Sequence, residues 1–214
     1  MSPVRTRYPA LEIAAFRERS ETETSGGAKA PTDAESSTHP MASIGHVAVG
    51  LAARRWYERD QSPPWAAITS MVVWSSISLL PDIDVFGFRL GIDYADPWGH
   101  RGATHSLLFA MMMALAAGLA ARAARLPVVR TTVLVGAVVA SHPLLDCLTD
   151  GGLGCALLWP FSDERFFAPW TPLPVAPIGR GFISAEGLRV ALTELAVFSV
   201  PFIFGLWPKR RSRR

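Results

Sequence analysis

Four of the five histidines of this chain and three of its aspartates stand at or near the ends of long apolar segments. Imidazole nitrogens and carboxylate oxygens together bind Zn²⁺, and they also suit Mn²⁺ or Fe²⁺. When the apolar segments are threaded in turn across a membrane, all of these side chains reach the same face. Ionisable groups at membrane depth usually face a cavity, an ion or one another. We therefore predict a site for a divalent metal, with Zn as first choice and Mn or Fe as alternatives, made of His46, Asp82, Asp84, His100, His105, His142 and Asp146.

The spacing within two of the motifs has a physical logic. His142 and Asp146 are four residues apart, so on a helix both side chains project from one face. Pro81 ends the preceding helix, and Asp82 and Asp84 point to the same side if the chain that follows is extended. Seven candidates exceed the ligands of one tetrahedral ion. Either the site holds two metal ions, or some of the seven residues do not bind the ion and instead orient those that do.

The motif HRGATHS carries two histidines just before an apolar segment. Gly102 permits a tight turn there, and Thr104 or Ser106 can cap the helix that His105 opens. Each motif has a plainer interpretation when taken alone: a helix-end hydrogen-bond pair for H-x-x-x-D, a helix stop for PDID, interfacial polarity for HRGATHS, and a packing histidine for His46. Their coincidence on one face favours a shared site.

The composition indicates a membrane protein. Of 214 residues, 50% are hydrophobic and only 18% are charged, and the mean hydropathy is +0.24. Seven Trp and 17 Pro fit interfacial aromatic residues and broken helices. We predict an all-α integral membrane bundle of four to five apolar segments with a long loop rich in Gly, Pro and aromatic residues. The segments are 43–53, 65–80, 106–121, 127–147 and 188–207.

Three regions are predicted along the chain. Residues 1–40 are rich in Ser, Thr, Glu and Gly and should be a disordered tail, and a translation start at Met41 is an alternative that leaves them out. Residues 41–208 should form the membrane-embedded domain that carries the candidate metal ligands, and 209–214 a basic cytoplasmic tail.

Basic residues predict the orientation of the bundle in the cell (inner) membrane. Eleven lie in alternate connections and the C-terminal tail, against five in the opposite connections, which places the C-terminus in the cytoplasm and the site on the outer face. The first group is Arg54, Arg55, Arg59, Arg122, Arg125, Arg130, Lys209, Arg210, Arg211, Arg213 and Arg214, and the second is Arg89, Arg101, Arg165, Arg180 and Arg189.

Other functional classes are less well supported. The net charge of +3 is small, and basic residues do not alternate with aromatic ones on a helix face, which argues against nucleic-acid binding. A transporter needs its ionisable residues near mid-bilayer, whereas these lie near helix ends. Cys147 and Cys155 form no C-x-x-C motif, so buried free thiols are favoured, and a disulfide is the alternative if the loop between them folds back.

The order of these motifs resembles a known family. H-x-x-x-G from His46 to Gly50, then LLPDID, HRGATHS, and H-x-x-x-D followed by Trp-Pro-Phe are similar to the YdjM-type membrane-bound, predicted metal-dependent hydrolases. That family is distantly similar to the zinc-dependent phospholipase C and single-strand nuclease superfamily. The resemblance covers residues 41–165. It implies metal binding by the seven residues above and, less directly, hydrolysis of a phosphoester or lipid-linked substrate by metal-activated water.

Two residues are candidates for catalysis in such a reaction. Asp84, or Asp82 if Asp84 is a ligand, can act as general base, and Arg101 can stabilise developing negative charge or anchor a lipid phosphate. Arg165 is a second, weaker candidate for anion binding. The alternative to a hydrolase is a non-catalytic membrane protein whose metal cluster is structural and serves partner binding or stress regulation.

The 148–187 connection brings aromatic residues to the same face. They predict contact with membrane lipids, either as an interfacial belt or as a lid and cradle for a lipid substrate. The residues are Trp159, Phe161, Phe166, Phe167 and Trp170.

Overall fold

The computed structural model describes residues 44–58, 63–175 and 183–207. Within these ranges all regular secondary structure is helical, with two isolated bridges and no β-strands. The prediction of an all-α bundle is confirmed. The tail at 1–40 and the basic segment at 209–214 lie outside the described residues.

The described ranges contain six α-helices and two 3-10 helices. The α-helices are α1 Ile44–Tyr57, α2 Pro64–Ser78, α3 Leu107–Ala123, α4 Val128–Asp146, α5 Ala185–Val197 and α6 Ser199–Leu206. The first 3-10 helix is Leu80–Leu90, and the second is Ala103–His105.

Among the described residues, one helix is long and apolar enough to cross a membrane unaided. This is α4, with 19 residues and a mean hydropathy of 1.6. Two further candidates are bent pairs: α2 with the first 3-10 helix at 60°, and α5 with α6 at 70°. The 17 residues of α3 are apolar but fewer than a full span needs.

The last apolar segment is broken, although the sequence predicted one long segment over 188–207. The first half ends at Val197 and the second begins at Ser199. Pro201 has no backbone N–H with which to bond the carbonyl of Val197, so α5 cannot continue through this point. The proline is instead accommodated in the first turn of α6, where no such bond is needed.

The core lies where α2, α3 and α4 meet. Trp74 and Val139 are buried there together with Ala110, Val135 and Val138. A Cβ added at Gly118 would lie 2.3 Å from Thr132 Oγ1, so α3 and α4 approach closely only because this residue is a glycine. The opposite faces present large apolar side chains outward, including Met111, Leu115 and Leu119 on α3. Such faces match a lipid environment.

Residues 80–90 adopt a 3-10 helix, whereas the placement of their carboxylates was predicted from an extended chain. Asp82 and Asp84 nevertheless both point inward and are buried, while Ile83, Phe86 and Leu90 are exposed. At 11 residues this 3-10 helix is unusually long for its type. Its apolar face points outward, and its two acids face the interior.

Candidate metal centre

Four elements bring all seven predicted ligands into one cluster. They are the start of α1, the start of the first 3-10 helix, the turn before α3 and the last turn of α4. Each candidate lies within 3.8 Å of another, measured between a ring nitrogen and a carboxylate oxygen. Two groups have donor atoms within 4.8 Å of one another: His46, His142 and Asp146 in one, and Asp82, His100 and His105 in the other.

His142 is oriented by the main chain of α2. Its Nδ1 donates to the carbonyl oxygen of Ser78 at 2.7 Å, which fixes Nε2 as the nitrogen with a free lone pair. That Nε2 lies 3.2 Å from Asp82 Oδ1 and 3.8 Å from Asp146 Oδ2. The ring stacks on His46 with 3.7 Å between centroids. His46 Nε2 in turn lies 3.2 Å from Asp146 Oδ1.

His105 stands between the two groups. Its Nε2 is buried without a hydrogen-bond partner, 3.4 Å from Asp146 Oδ2 and 3.7 Å from Asp82 Oδ1. Ligand atoms about 2 Å from a common ion in a tetrahedral arrangement lie roughly 3.3 Å apart. The spacings here are close to that value. An orphaned buried nitrogen among carboxylate oxygens is therefore consistent with a cation between them.

Asp84 is held by protein donors on both of its oxygens. Oδ1 accepts from His100 Nδ1 at 2.8 Å. Oδ2 accepts from Thr104 Oγ1 at 2.5 Å and from the Arg101 backbone N–H at 3.2 Å, and His105 Nδ1 lies 3.0 Å from it. The carboxylate thus orients both histidines of HRGATHS.

Arg101 reaches the cluster from an unusual backbone conformation. Its φ is +63°, so the left-handed residue of HRGATHS is Arg101 rather than Gly102. Gly102 is required for space instead, because a Cβ there would lie 2.2 Å from the Pro97 carbonyl oxygen. The Arg101 side chain is buried, donates from Nη1 to the Gly151 carbonyl at 2.9 Å, and places Nε 3.2 Å from Asp146 Oδ2 without hydrogen-bond alignment.

The charges of the cluster do not balance without a cation. Three buried carboxylates and one guanidinium leave a formal charge of −2 when the histidines are neutral. Burial alone would lower the pKa of His105, but its contacts with Asp146, Asp82 and Asp84 outweigh that effect and raise the pKa well above its ordinary value. Without an ion, a proton on this ring offsets one of the two negative charges, and a metal bound there would displace that proton. Buried uncompensated charge is costly, and one divalent ion would bring the sum to zero. The donor set therefore fits a divalent metal.

Arg165 binds backbone rather than facing the cluster. It donates to the carbonyl oxygens of His100 at 3.0 Å, Tyr94 at 3.1 Å and Asp96 at 3.1 Å. These bonds fasten the 148–175 segment to the loop that carries His100. These bonds are those of a residue that positions a loop, and anion binding by Arg165 stays a prediction.

Sequence reasoning missed the groups that orient the ligands. Ser78 supplies the carbonyl that His142 binds, and its hydroxyl donates to the His46 carbonyl at 2.7 Å. Thr104 and Ser106 were the two predicted helix caps; Ser106 has that role and accepts from the Phe109 N–H, whereas the contact of Thr104 with Asp84 was not predicted. A hydroxyl in the last turn before PDID is the available signal for Ser78. Backbone carbonyls give none, since every residue has one.

Comparison with known proteins agrees with this arrangement of motifs. The family model for the YdjM inner membrane protein matches residues 41–211, which include all seven clustered residues.

The chain belongs to the YdjM inner membrane protein family.

Within the YdjM family, the chain is similar to the inner membrane protein YbcI of Escherichia coli (strain K12). The two are 36% identical over 173 residues, which cover 78% of this chain and 98% of that relative. No solved structure matches the chain significantly. Family membership makes this a membrane protein. The further likeness to the phospholipase C and nuclease superfamily stays a prediction.

Proposed function

We propose that this YdjM-family protein is a membrane-bound, metal-dependent hydrolase with Zn²⁺ as its resident ion. The observation that supports this best is the buried cluster of imidazoles and carboxylates whose donor atoms are spaced as ligands of a shared ion. His46, His142 and Asp146 would hold one ion. Asp82, His100 and His105 would hold a second ion.

A bound divalent cation supplies Lewis acidity and makes water acidic enough to act as a nucleophile near neutral pH. The protein supplies the rest. Ser78 holds the tautomer of His142, and Asp84 holds His100 and His105. Arg101 places a buried guanidinium next to Asp146, where it can bind an anionic oxygen of the substrate.

The engagement of Asp84 by four donors favours an orienting role for it over that of general base. Asp82 has fewer such bonds. Its Oδ1 contacts ring nitrogens of His142 and His105 only, at 3.2 and 3.7 Å. Of the two acids, Asp82 therefore has the carboxylate that is freer to bind an ion.

The substrate class that fits is a phosphoester borne by a lipid or another amphiphile. Exposed apolar side chains surround the site end of the bundle: Ile83, Phe86 and Leu90 on the first 3-10 helix, and Phe161 and Trp170 on the long loop. Trp98 and Trp159 stack edge to face with 5.1 Å between centroids. Such residues lie at the level of lipid head groups.

The proposed orientation puts the site outside and the C-terminus in the cytoplasm. Contacts at the other end of the bundle support this grouping. Arg55 donates to the Trp207 carbonyl, which joins the ends of α1 and α6, and Arg130 donates to the Trp56 carbonyl, which joins α1 to the start of α4. Arg55 and Arg130 thus lie at the end of the bundle opposite the candidate ligands.

One observation favours a second candidate, a non-catalytic protein with a structural metal cluster. Six of the seven candidate ligands are less than 9% exposed, and His105 and His142 are fully enclosed. A catalytic metal keeps a position open to water and substrate, whereas a structural one is closed.

Elemental analysis combined with a hydrolysis assay tests both candidates. We expect detergent-purified wild-type protein to hold at least one equivalent of zinc and to cleave bis(p-nitrophenyl) phosphate or a phospholipid in mixed micelles. His142→Ala and Asp82→Ala should lose metal and turnover together, while Asp163→Ala, which removes an exposed carboxylate, should lose neither. Metal without turnover on either substrate would favour the structural candidate. Protein that carries no metal would overturn both.

A further inference from the structure

The two cysteines of the chain are Cys147, which follows the end of α4, and Cys155 in the long loop, and both contact Phe166. Both are free thiols, 5% and 0% exposed. Cys147 Sγ donates to the Phe166 carbonyl oxygen at 3.2 Å, and the same oxygen accepts from the Cys155 backbone N–H at 3.0 Å. The metal cluster and the proposed hydrolysis use neither of them.

Main-chain hydrogen bonds fix this juxtaposition. Cys155 exchanges two bonds with Phe166, at 3.0 and 2.9 Å, and the Ala168 N–H donates to the Cys147 carbonyl at 2.8 Å. Both cysteines are thus held against the same segment. Between them Gly152 and Gly154 have φ of +84° and +77°, a conformation that lets the chain turn back on itself.

The pair also joins two parts of the candidate site. Cys147 directly follows Asp146 at the end of α4. On the other side, the N–H of Ala156, which directly follows Cys155, donates to the Arg101 carbonyl at 2.9 Å. A covalent bond between the two sulfurs would tie the end of α4 to the segment that seats Arg101.

We propose that Cys147 and Cys155 form an intramolecular disulfide in the membrane-inserted protein. The inference rests on the outward orientation proposed above, because thiols outside the cytoplasm meet an oxidising environment. The thiolate of Cys147 attacks a sulfur of an external disulfide, RSSR, forms a mixed disulfide and releases RS⁻. The thiolate of Cys155 then attacks Cys147 Sγ, forms the internal S–S bond and releases the second RS⁻. Two thiols lose two electrons and two protons, and the external disulfide is reduced to two thiols. Since both cysteines are buried in the folded protein, the exchange takes place while the loop is still open.

Differential alkylation of the full-length protein in membranes tests this inference. Membranes are denatured in SDS with N-ethylmaleimide, then reduced, then treated with a maleimide-polyethylene glycol reagent that adds a visible mass per thiol. We expect two additions after reduction and none when reduction is omitted. Intact mass should be 2 Da lower before reduction than after it. With only two cysteines in the chain, no background substitutions are needed.

Cys155→Ser is the matched control, and its remaining thiol should be blocked by N-ethylmaleimide and take up no polyethylene glycol. Blocking of both wild-type thiols without reduction would overturn the disulfide. The orientation is measured separately with reporters at the C-terminus, so thiols that are free in a correctly oriented protein count against the disulfide alone. If the reporters instead place the site in the cytoplasm and the thiols are free, the orientation and the disulfide both fall.

Discussion

At the level of single residues, the cluster separates ligands from the groups that orient them. Asp84 is among the predicted ligands, yet both of its oxygens accept bonds from the protein. His105 shows the complementary pattern, since one ring nitrogen contacts Asp84 and the other is buried without a partner. A carboxylate on one side of an imidazole and an ion on the other is a common arrangement in metal sites.

Asp84→Asn therefore tests an orienting role. The amide can present an N–H to donors that now bind an oxygen, so His100 or His105 should lose its alignment. We expect zinc affinity to fall about 10- to 100-fold, measured by competition with a chromogenic chelator. Thr104→Ala removes a single bond to the same carboxylate and should have a smaller effect. Full retention of zinc with complete loss of turnover would instead assign Asp84 the role of general base.

Arg101→Lys tests the proposed contact with an anionic substrate. Lysine keeps the positive charge but loses the planar fork that bonds Gly151 and faces Asp146. We expect phosphoester turnover to fall about 100-fold, with metal content unchanged. Arg189→Lys makes the same change at an exposed position paired with Glu186 and should leave turnover as it is. Loss of metal in Arg101→Lys would show that the guanidinium holds the cluster together and does not act on substrate.

At the level of elements, close helix packing sets the position of His46. A Cβ added at Gly50 would lie 2.6 Å from the Trp74 carbonyl and 2.8 Å from Ser75 Cα, both backbone atoms that cannot turn away. The glycine of H-x-x-x-G thus lets α1 rest directly on α2. One turn earlier on α1, the His46 carbonyl accepts from the Ser78 hydroxyl. The spacing of that motif is therefore explained by helix contact.

We expect Gly50→Ala to push α1 away from α2 and to displace His46 from the cluster. Overpacking of this kind costs about 1 to 3 kcal/mol in free energy of unfolding. The measurement is thermal unfolding in detergent together with zinc content, and both should decrease. Gly87→Ala is the control, because its added Cβ meets only the flexible side chain of Ile92 at 3.3 Å. An unchanged zinc content in Gly50→Ala would mean that His46 is not held by this packing.

The predictions that the structure confirms were based on the spacing of side chains and on the length of apolar segments. The i, i+4 spacing of His142 and Asp146 gives one helix face, and the apolar length of α4 marks a span. The break at Pro201 and the 3-10 helix at 80–90 were missed, because hydropathy records apolar length but not backbone hydrogen bonding. The left-handed Arg101 was missed because tertiary contacts, and not residue type, hold it there.

At the level of the whole molecule, the two ends of the bundle differ in charge. Ligand residues gather at one end, and Arg55 and Arg130 contact neighbouring helix ends at the other. We expect a C-terminal fluorescent protein to be active and a C-terminal alkaline phosphatase to be inactive, because the latter needs export. Fusions placed after residue 175 should give the opposite pattern. Phosphatase activity at the C-terminus would reverse the orientation and put the site in the cytoplasm.

Removal of the metal should destabilise the molecule as a whole. Four elements contribute ligands to the cluster, from residues up to 100 positions apart in sequence, His46 and Asp146. Without a cation the cluster has a formal charge of −2 when its histidines are neutral. A ligand present at 100 times its dissociation constant stabilises the folded state by about 2.7 kcal/mol. We expect a chelator to lower the thermal midpoint in detergent and added Zn²⁺ to restore it. The chelator should have no further effect on His142→Ala, whose site is already broken. If chelation removes all metal and leaves the wild-type midpoint unchanged, the ion does not join the four elements, and their packing alone holds the ligands in place.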